Sequence, residues 1–199
     1  MNESKELKER DPVADAASSL AWAYVILLLD LYLWRFNVLP NWLGMLIMAD
    51  AIKKLAGEKS EIMLLHPLAV GIGVWQGVCS VVYVLLGVRL NWQAVEIVVM
   101  ALALYLHFQL LTNVADIAAA HGFAHTKQIL ALRTVKTLLH TATVLPLDWN
   151  GVSIFARCAQ GVHLLVAVWI CVVMFMLRKH LGWIPPPKTE PPEMPPLVR

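Results

Sequence analysis

Several ionisable side chains stand inside long apolar stretches, where they could bind ions or move protons. Asp30, Glu96 and Arg157 each interrupt such a stretch, and His107 lies further along the stretch that holds Glu96. An unpaired charge in hydrocarbon costs several kcal/mol, so residues of this kind mark candidate sites. We expect Arg157 to pair with Asp30 or Glu96, with Asp30 preferred. The carboxylate left over would face a water-filled vestibule near His107 that could bind a cation or pass a proton. A closed ion pair that only locks two helices is the alternative.

A second polar set lies further along the chain. At about 100° per residue, its members on one predicted helix share a face, and so do those on the next helix. This pattern predicts a polar path between helices for a small solute, an ion or a proton. The alternative is a structural or regulatory membrane protein in which these residues only hydrogen-bond helices together. The set comprises Gln109, Asn113 and Asp116 on the first helix and Arg133, Lys136 and His140 on the second.

The two cations of this set need partners. Asp116 and Asp50 lie near the same predicted side of the membrane as Arg133 and Lys136. Because an unpaired cation in hydrocarbon is costly, we expect at least one ion pair among them, or a water-filled cavity.

Three histidines allow a third reading, a metal-dependent membrane enzyme. His121 and His125 have the i, i+4 spacing that binds a metal on one helix face, and His66 could supply a third ligand. Gly122 is expected to end the helix between the pair, and the zinc-protease pattern is absent. The chain has no P-loop, nucleophile elbow or dinucleotide fingerprint, so no cofactor is expected and little favours an enzyme.

Composition sets the environment for these residues. Of 199 residues, 59% are apolar and 15% are charged, against about 45–50% and about 25% in soluble domains. A soluble globule or a disordered chain is excluded by this balance. A net charge of +2 is too small to indicate a nucleic-acid partner. The composition predicts an integral membrane protein whose main partner is the lipid bilayer.

The apolar runs predict an all-α, polytopic bundle of six transmembrane helices within residues 16–182. Residues 1–15 would form a cytoplasmic segment, and 183–199 a disordered, proline-rich tail that could contact a partner protein. The second helix is short for a ~30 Å hydrocarbon core, so it either spans or re-enters. The oligomeric state is left open. The predicted helices are about 16–36, 40–56, 67–88, 92–120, 127–145 and 153–181.

The distribution of Lys and Arg predicts the orientation. With six spans and both termini in the cytoplasm, 13 of the 16 Lys and Arg residues lie inside. Only Arg35, Arg89 and Arg157 lie outside, as the positive-inside rule requires.

One turn resembles a known pattern. The segment 37–44 reads Asn-Val-Leu-Pro-Asn-Trp-Leu-Gly. It resembles an Asn-x-Leu-Pro turn of small multi-spanning membrane proteins of Gram-positive bacteria, followed by an acidic or amide residue, an aromatic and a helix-opening Gly. The resemblance covers residues 37–56 and implies a bacterial plasma membrane, with no particular activity. Similar Asn-Trp or Asp-Trp turns at 90–92 and 147–150 suggest three hairpin repeats, although composition at a membrane interface also explains them.

Overall fold

A computed structural model describes residues 12–29, 32–33, 36–37, 40–88, 90, 92–144 and 153–182, without the side chains of 29, 32–33, 36–37, 143–144 and 153–160. The described part is helical, as predicted, apart from a short hairpin and turns. The predicted amino-terminal segment falls largely outside it, and the proline-rich tail entirely so. The six α-helices of the described part are α1 (Pro12–Leu29), α2 (Asn41–Leu55), α3 (His66–Leu86), α4 (Gln93–Ala120), α5 (Thr126–Val144) and α6 (Ser153–Leu181).

Helix α1 ends earlier in the chain than the apolar run indicates. It begins at Pro12 and ends at Leu29 rather than near residue 36. Two short strands follow, β1 (Tyr32–Leu33) and β2 (Phe36–Asn37), and they pair antiparallel with Tyr32 opposite Asn37. Aromatic residues favour extended backbone, so apolar length alone did not distinguish helix from hairpin here.

Helix α2 packs very closely on α1. A Cβ added at Gly44 would lie 2.9 Å from Cγ of Leu27 and 3.1 Å from the carbonyl oxygen of Ala23. Only glycine therefore allows this approach. With 15 residues, α2 is about 22 Å long at ~1.5 Å per residue, shorter than a hydrocarbon core. After a turn, a short 3₁₀ helix (Ser60–Leu65) leads directly into α3.

The helices form a closed ring. Each helix contacts the next in sequence, and α1 also contacts α6. The ends of α2, α4 and α6 lie together, because Lys59 bonds to Asp116 and His180 bonds to the carbonyl of His121. The ring therefore alternates in direction around its circumference.

The two halves of this ring differ in packing. The packed half contains the beginning of α1 and the ends of α2, α4 and α6. Its fully buried side chains include Leu20, Met48, Ile52, Leu110 and Met174. In the open half, α3 beyond Gly73 and α4 before Leu106 have no buried residue.

Three helical segments are long and apolar enough to cross a membrane. They are Ser60–Leu86, Gln93–Ala120 and Gly161–Leu181. Only 17%, 17% and 33% of their most apolar windows are buried inside the ring. Outward-facing apolar surface of this extent is suited to lipid rather than to water.

The α4–α5 turn follows from one glycine. Gly122 has a φ of 69°, in the left-handed region that glycine adopts without strain. The amides of Gly122 and Phe123 donate to the carbonyls of Ala119 and Ala118 at 3.0 and 2.9 Å, which is a Schellman arrangement. The helix therefore ends at this glycine, as the sequence predicts, and α5 begins again at Thr126.

Candidate functional site

Lys136 lies near the middle of α5 and points toward α1. Its Nζ is 4.6 Å from the centroid of the Tyr24 ring. Tyr24 is almost fully buried, with 2% of its surface exposed. The ammonium group therefore lies against an aromatic face, which attracts cations.

Tyr24 also joins this lysine to α4. Its hydroxyl and Nδ1 of His107 share a hydrogen bond of 3.2 Å. The two ring centroids are 5.5 Å apart. Tyr24 thus contacts a cation with its ring and an imidazole with its hydroxyl.

Two further imidazoles complete the group. His140 lies one turn after Lys136 on α5, and its ring centroid is 6.5 Å from that of His163 on α6. The charge of Lys136 acts on both of these rings, on His107 and on the thiol of Cys171. We call this group the Lys136 cluster; its members are Tyr24, His107, Lys136, His140, His163 and Cys171.

Arg133 adds a second cation one turn before Lys136. Its Nη1 donates to Oγ1 of Thr112 at 2.9 Å. Its guanidinium carbon lies 4.4 Å from the centroid of the Phe108 ring. Its Nε is buried and has no hydrogen-bond partner among the described residues. Arg133 is therefore held by an aromatic ring and a hydroxyl, and its buried Nε–H has no partner in the described part of the chain.

The carboxylates expected to neutralise these cations have other partners. Asp50 pairs with Lys54 at 2.8 Å, one turn along α2. Asp116 pairs with Lys59 at 2.8 Å, and this hydrogen bond raises the pKa of Lys59 above its ordinary value. Neither aspartate forms the expected ion pair with Arg133 or Lys136, because nearer lysines take both carboxylates. The other expected arrangement, a water-filled cavity, stays a prediction. Within the described residues, no salt bridge involves either α5 cation.

Glu96 belongs to a different region from His107. Its side chain lines a cavity of about 330 Å³ between α2, α3 and α4 in the open half, whereas His107 belongs to the Lys136 cluster. Glu96 and His107 therefore lie in different regions of the described part of the chain, and the water-filled vestibule stays a prediction. The side chains of Asp30 and Arg157 lie outside the described residues, so their pairing stays a prediction.

The predicted path on α4 is only partly assembled. Gln109 and Asn113 are half-buried, and Asp116 is exposed at the helix end. Thr112, from the same face, makes the contact with Arg133. This face of α4 therefore contacts Arg133 of α5 through the Thr112 hydroxyl and the Phe108 ring.

The three metal-ligand candidates do not form a metal centre. Nδ1 of His121 hydrogen-bonds the carbonyl of Ile117 at 2.9 Å, and His125 packs edge-on against Phe123. His66 begins α3. In the part of the chain that the structure describes, no three His, Cys, Asp or Glu side chains are placed to hold a metal ion. The break at Gly122 removes the shared helix face that the His121–His125 spacing would need.

Sequence reasoning overlooked three members of the cluster. His163 is an ionisable residue in an apolar helix, so the rule that singled out His107 also applies to it. Tyr24 and Cys171 carry no such signal, since both residue types are common in apolar helices. Their roles depend on which helices meet.

Comparison of the chain with protein-family models, with curated proteins and with solved structures finds no match.

Proposed function

We propose that this chain is a multi-pass protein of a bacterial plasma membrane, with six spans and both termini in the cytoplasm. Three apolar segments of sufficient length support membrane insertion. The basic ends of α2 and α6 and the basic start of α5 lie at one end of the ring, as the positive-inside rule requires of a cytoplasmic side. The resemblance at residues 37–56 to membrane proteins of Gram-positive bacteria supports the same setting.

We further propose that the protein binds a small inorganic or carboxylate anion at the Lys136 cluster and passes it through the bundle. The observation that carries this proposal is a pair of cations, Lys136 and Arg133, on one face of α5 without a carboxylate partner among the described residues. A cation within a bundle needs a counter-charge. A bound anion supplies that charge.

The neighbouring groups are suited to an anion. Lys136 has three N–H donors, and Arg133 has a buried Nε–H without a partner in the described part. Imidazole rings and the Tyr24 hydroxyl add neutral donors that can turn toward a bound oxyanion. None of these groups is a carboxylate, which would repel an anion.

Anion-dependent stability is the first test. Purified protein in detergent is unfolded thermally in chloride, nitrate, acetate or phosphate, with ionic strength held constant. A ligand that binds only the folded state raises the melting temperature in a saturable manner. We expect at least one anion to do so for the wild type and for Lys53→Met, whose lysine is exposed on α2. Lys136→Met should lose the response.

Flux measurements in proteoliposomes test the transport step. The anion that stabilises the protein should cross the membrane of proteoliposomes faster than that of liposomes without protein. Proteoliposomes containing Lys136→Met should show no such difference. If no anion stabilises the wild type and Lys136→Met simply lowers its melting temperature, the cluster is structural. If vesicles pass protons without any anion, a proton relay through the imidazoles replaces the anion proposal.

A further inference from the structure

The cavity at Glu96 has a wall with one sign of charge. We call this cavity the Glu96 cavity. Its volume is about 330 Å³, near the lower limit of about 300 Å³ for small-molecule sites. Glu96 is the one carboxylate among its described lining residues, and they include no Lys, Arg or His. Among the described residues, no salt bridge involves Glu96. The cavity therefore presents a negative charge without a protein counter-ion in that part of the chain.

Two indoles contribute to the apolar part of the wall. Trp42 lies over α3 at Gly77, where an added Cβ would be 3.7 Å from its Cγ. Trp75 faces the same cavity and is supported by Trp92, with ring centroids 6.2 Å apart. Indole faces attract organic cations more strongly than other aromatic rings do.

Two amide oxygens complete the wall. Oδ1 of Asn41 and Oε1 of Gln76 are buried and accept no hydrogen bond from the described residues. The nearby Ser80 hydroxyl already donates a hydrogen bond to the main-chain carbonyl oxygen of Gln76 at 2.9 Å, so it does not serve the side-chain amide. A buried acceptor without a donor is costly. A rotation of either amide toward the cavity would offer its oxygen to an N–H donor there.

We propose that the Glu96 cavity binds a small organic cation, a protonated primary or secondary amine. The carboxylate of Glu96 supplies the counter-charge, the indoles of Trp42 and Trp75 hold the organic part and the ammonium face, and the two amides accept its N–H groups. This site uses none of the residues of the Lys136 cluster. It is therefore independent of the anion function proposed above.

Cys79 lines the cavity and reports on its occupancy. The full chain in nanodiscs of uncharged lipid is treated with N-ethylmaleimide, and modification of the peptide containing Cys79 is followed by mass spectrometry. The probes are 2-phenylethylamine, its neutral analogue 2-phenylethanol, and the trimethylated quaternary ammonium of the same skeleton. Modification of free N-acetylcysteine in the same sample is the control for consumption of the reagent by the amine.

The amine should slow modification of Cys79 in a saturable manner and leave the rate of N-acetylcysteine modification unchanged. The alcohol should not protect Cys79. The quaternary ammonium should bind about tenfold more weakly, because it has no N–H to donate to the two amides and the carboxylate. Equal protection by amine and alcohol would overturn the proposal, and equal affinity for both ammonium ions would overturn the role of the amides.

A matched pair of variants tests the carboxylate. Glu96→Gln should weaken protection by the amine at least about tenfold, the expected loss of one hydrogen-bonded charge. Glu58→Gln, an exposed position in the turn after α2, should leave it unchanged. If the amine protects Cys79 at the same concentration in Glu96→Gln as in the wild type, the carboxylate does not bind the amine. The comparison of amine and alcohol on the wild type needs no variant and remains decisive if Glu96→Gln fails to fold.

Discussion

The Lys136 cluster and the Glu96 cavity hold opposite charges within one ring of helices. In the cluster, a lysine lies against an aromatic ring among three imidazoles. In the cavity, a carboxylate lies among indoles and amides. Opposite charges in a medium of low dielectric attract strongly, yet the fold assigns these two to separate helix contacts. Each charge consequently remains available to a ligand.

The two regions also differ in how firmly they are held. Tyr24 of the cluster is buried on α1, at the border of the packed half. The cavity lies in the open half, where Trp92 is 60% exposed. Glu96 itself is exposed, whereas Lys136 is half-buried.

The largest expected effect comes from breaking the close contact between α1 and α2. Gly44→Val would place side-chain atoms where a Cβ is already 2.9 Å from Leu27. Overpacking of this kind costs about 1–3 kcal/mol or more, so thermal unfolding in detergent should occur at a clearly lower temperature. Gly71→Val is the control, because a Cβ there meets nothing within 4 Å. Equal destabilisation by both variants would show that the α1–α2 contact is looser than described.

Charge reversal in the cavity sharpens the comparison between the two regions. Glu96→Lys should abolish protection of Cys79 by 2-phenylethylamine, an effect of at least about tenfold. The anion response assigned to Lys136 should persist, since the two sites share no residue. Loss of both responses in Glu96→Lys would mean that the regions are coupled through the ring.

A smaller effect is expected from the hydroxyl that joins α1 to α4. Tyr24→Phe keeps the ring beneath Lys136 and removes the hydrogen bond to His107. A net loss of about 0.5–1.5 kcal/mol in the free energy of unfolding is expected. Denaturant or thermal titration measures it, and Tyr105→Phe, at a half-exposed site on α4, is the control. An unchanged free energy of unfolding would show that the Tyr24–His107 hydrogen bond does not stabilise the fold.

The smallest effect concerns the exposed pair of Lys59 and Asp116. The pKa of Lys59 is raised by its hydrogen bond to Asp116, so its contribution to stability is fully present below the ordinary lysine pKa. That contribution is lost as the pH rises through the raised pKa. Lys59→Met should lower the melting temperature slightly at neutral pH and not at all at strongly alkaline pH. Lys127→Met is the control, and a difference that grows with pH would contradict the assignment.

The sequence predicts the elements of this fold better than their contacts. Long apolar runs and the break at Gly122 locate the helices. The predicted end of α1 differs from the structure because aromatic residues near Tyr32 suit both a helix and a strand. Helical angles correctly place Arg133, Lys136 and His140 on one face of α5. They do not say which helix that face meets, and neither Asp50 nor Asp116 forms an ion pair with Arg133 or Lys136. Asp50 pairs with Lys54 because the two residues are one helical turn apart. Asp116 pairs with Lys59 because the α2–α3 turn brings this lysine to the end of α4.

The tight turn at Gly122 bears on how α5 enters the membrane during synthesis. Helix α5 is not among the segments apolar enough to cross a bilayer by themselves, and Arg or Lys at a helix centre opposes insertion by about 2.5–3.5 kcal/mol each. Helix α4 is strongly apolar, and the Schellman turn reverses the chain within a few residues. In the proposed topology the two helices therefore leave the translocon as one hairpin, with the apolar partner offsetting the insertion cost of the cationic one.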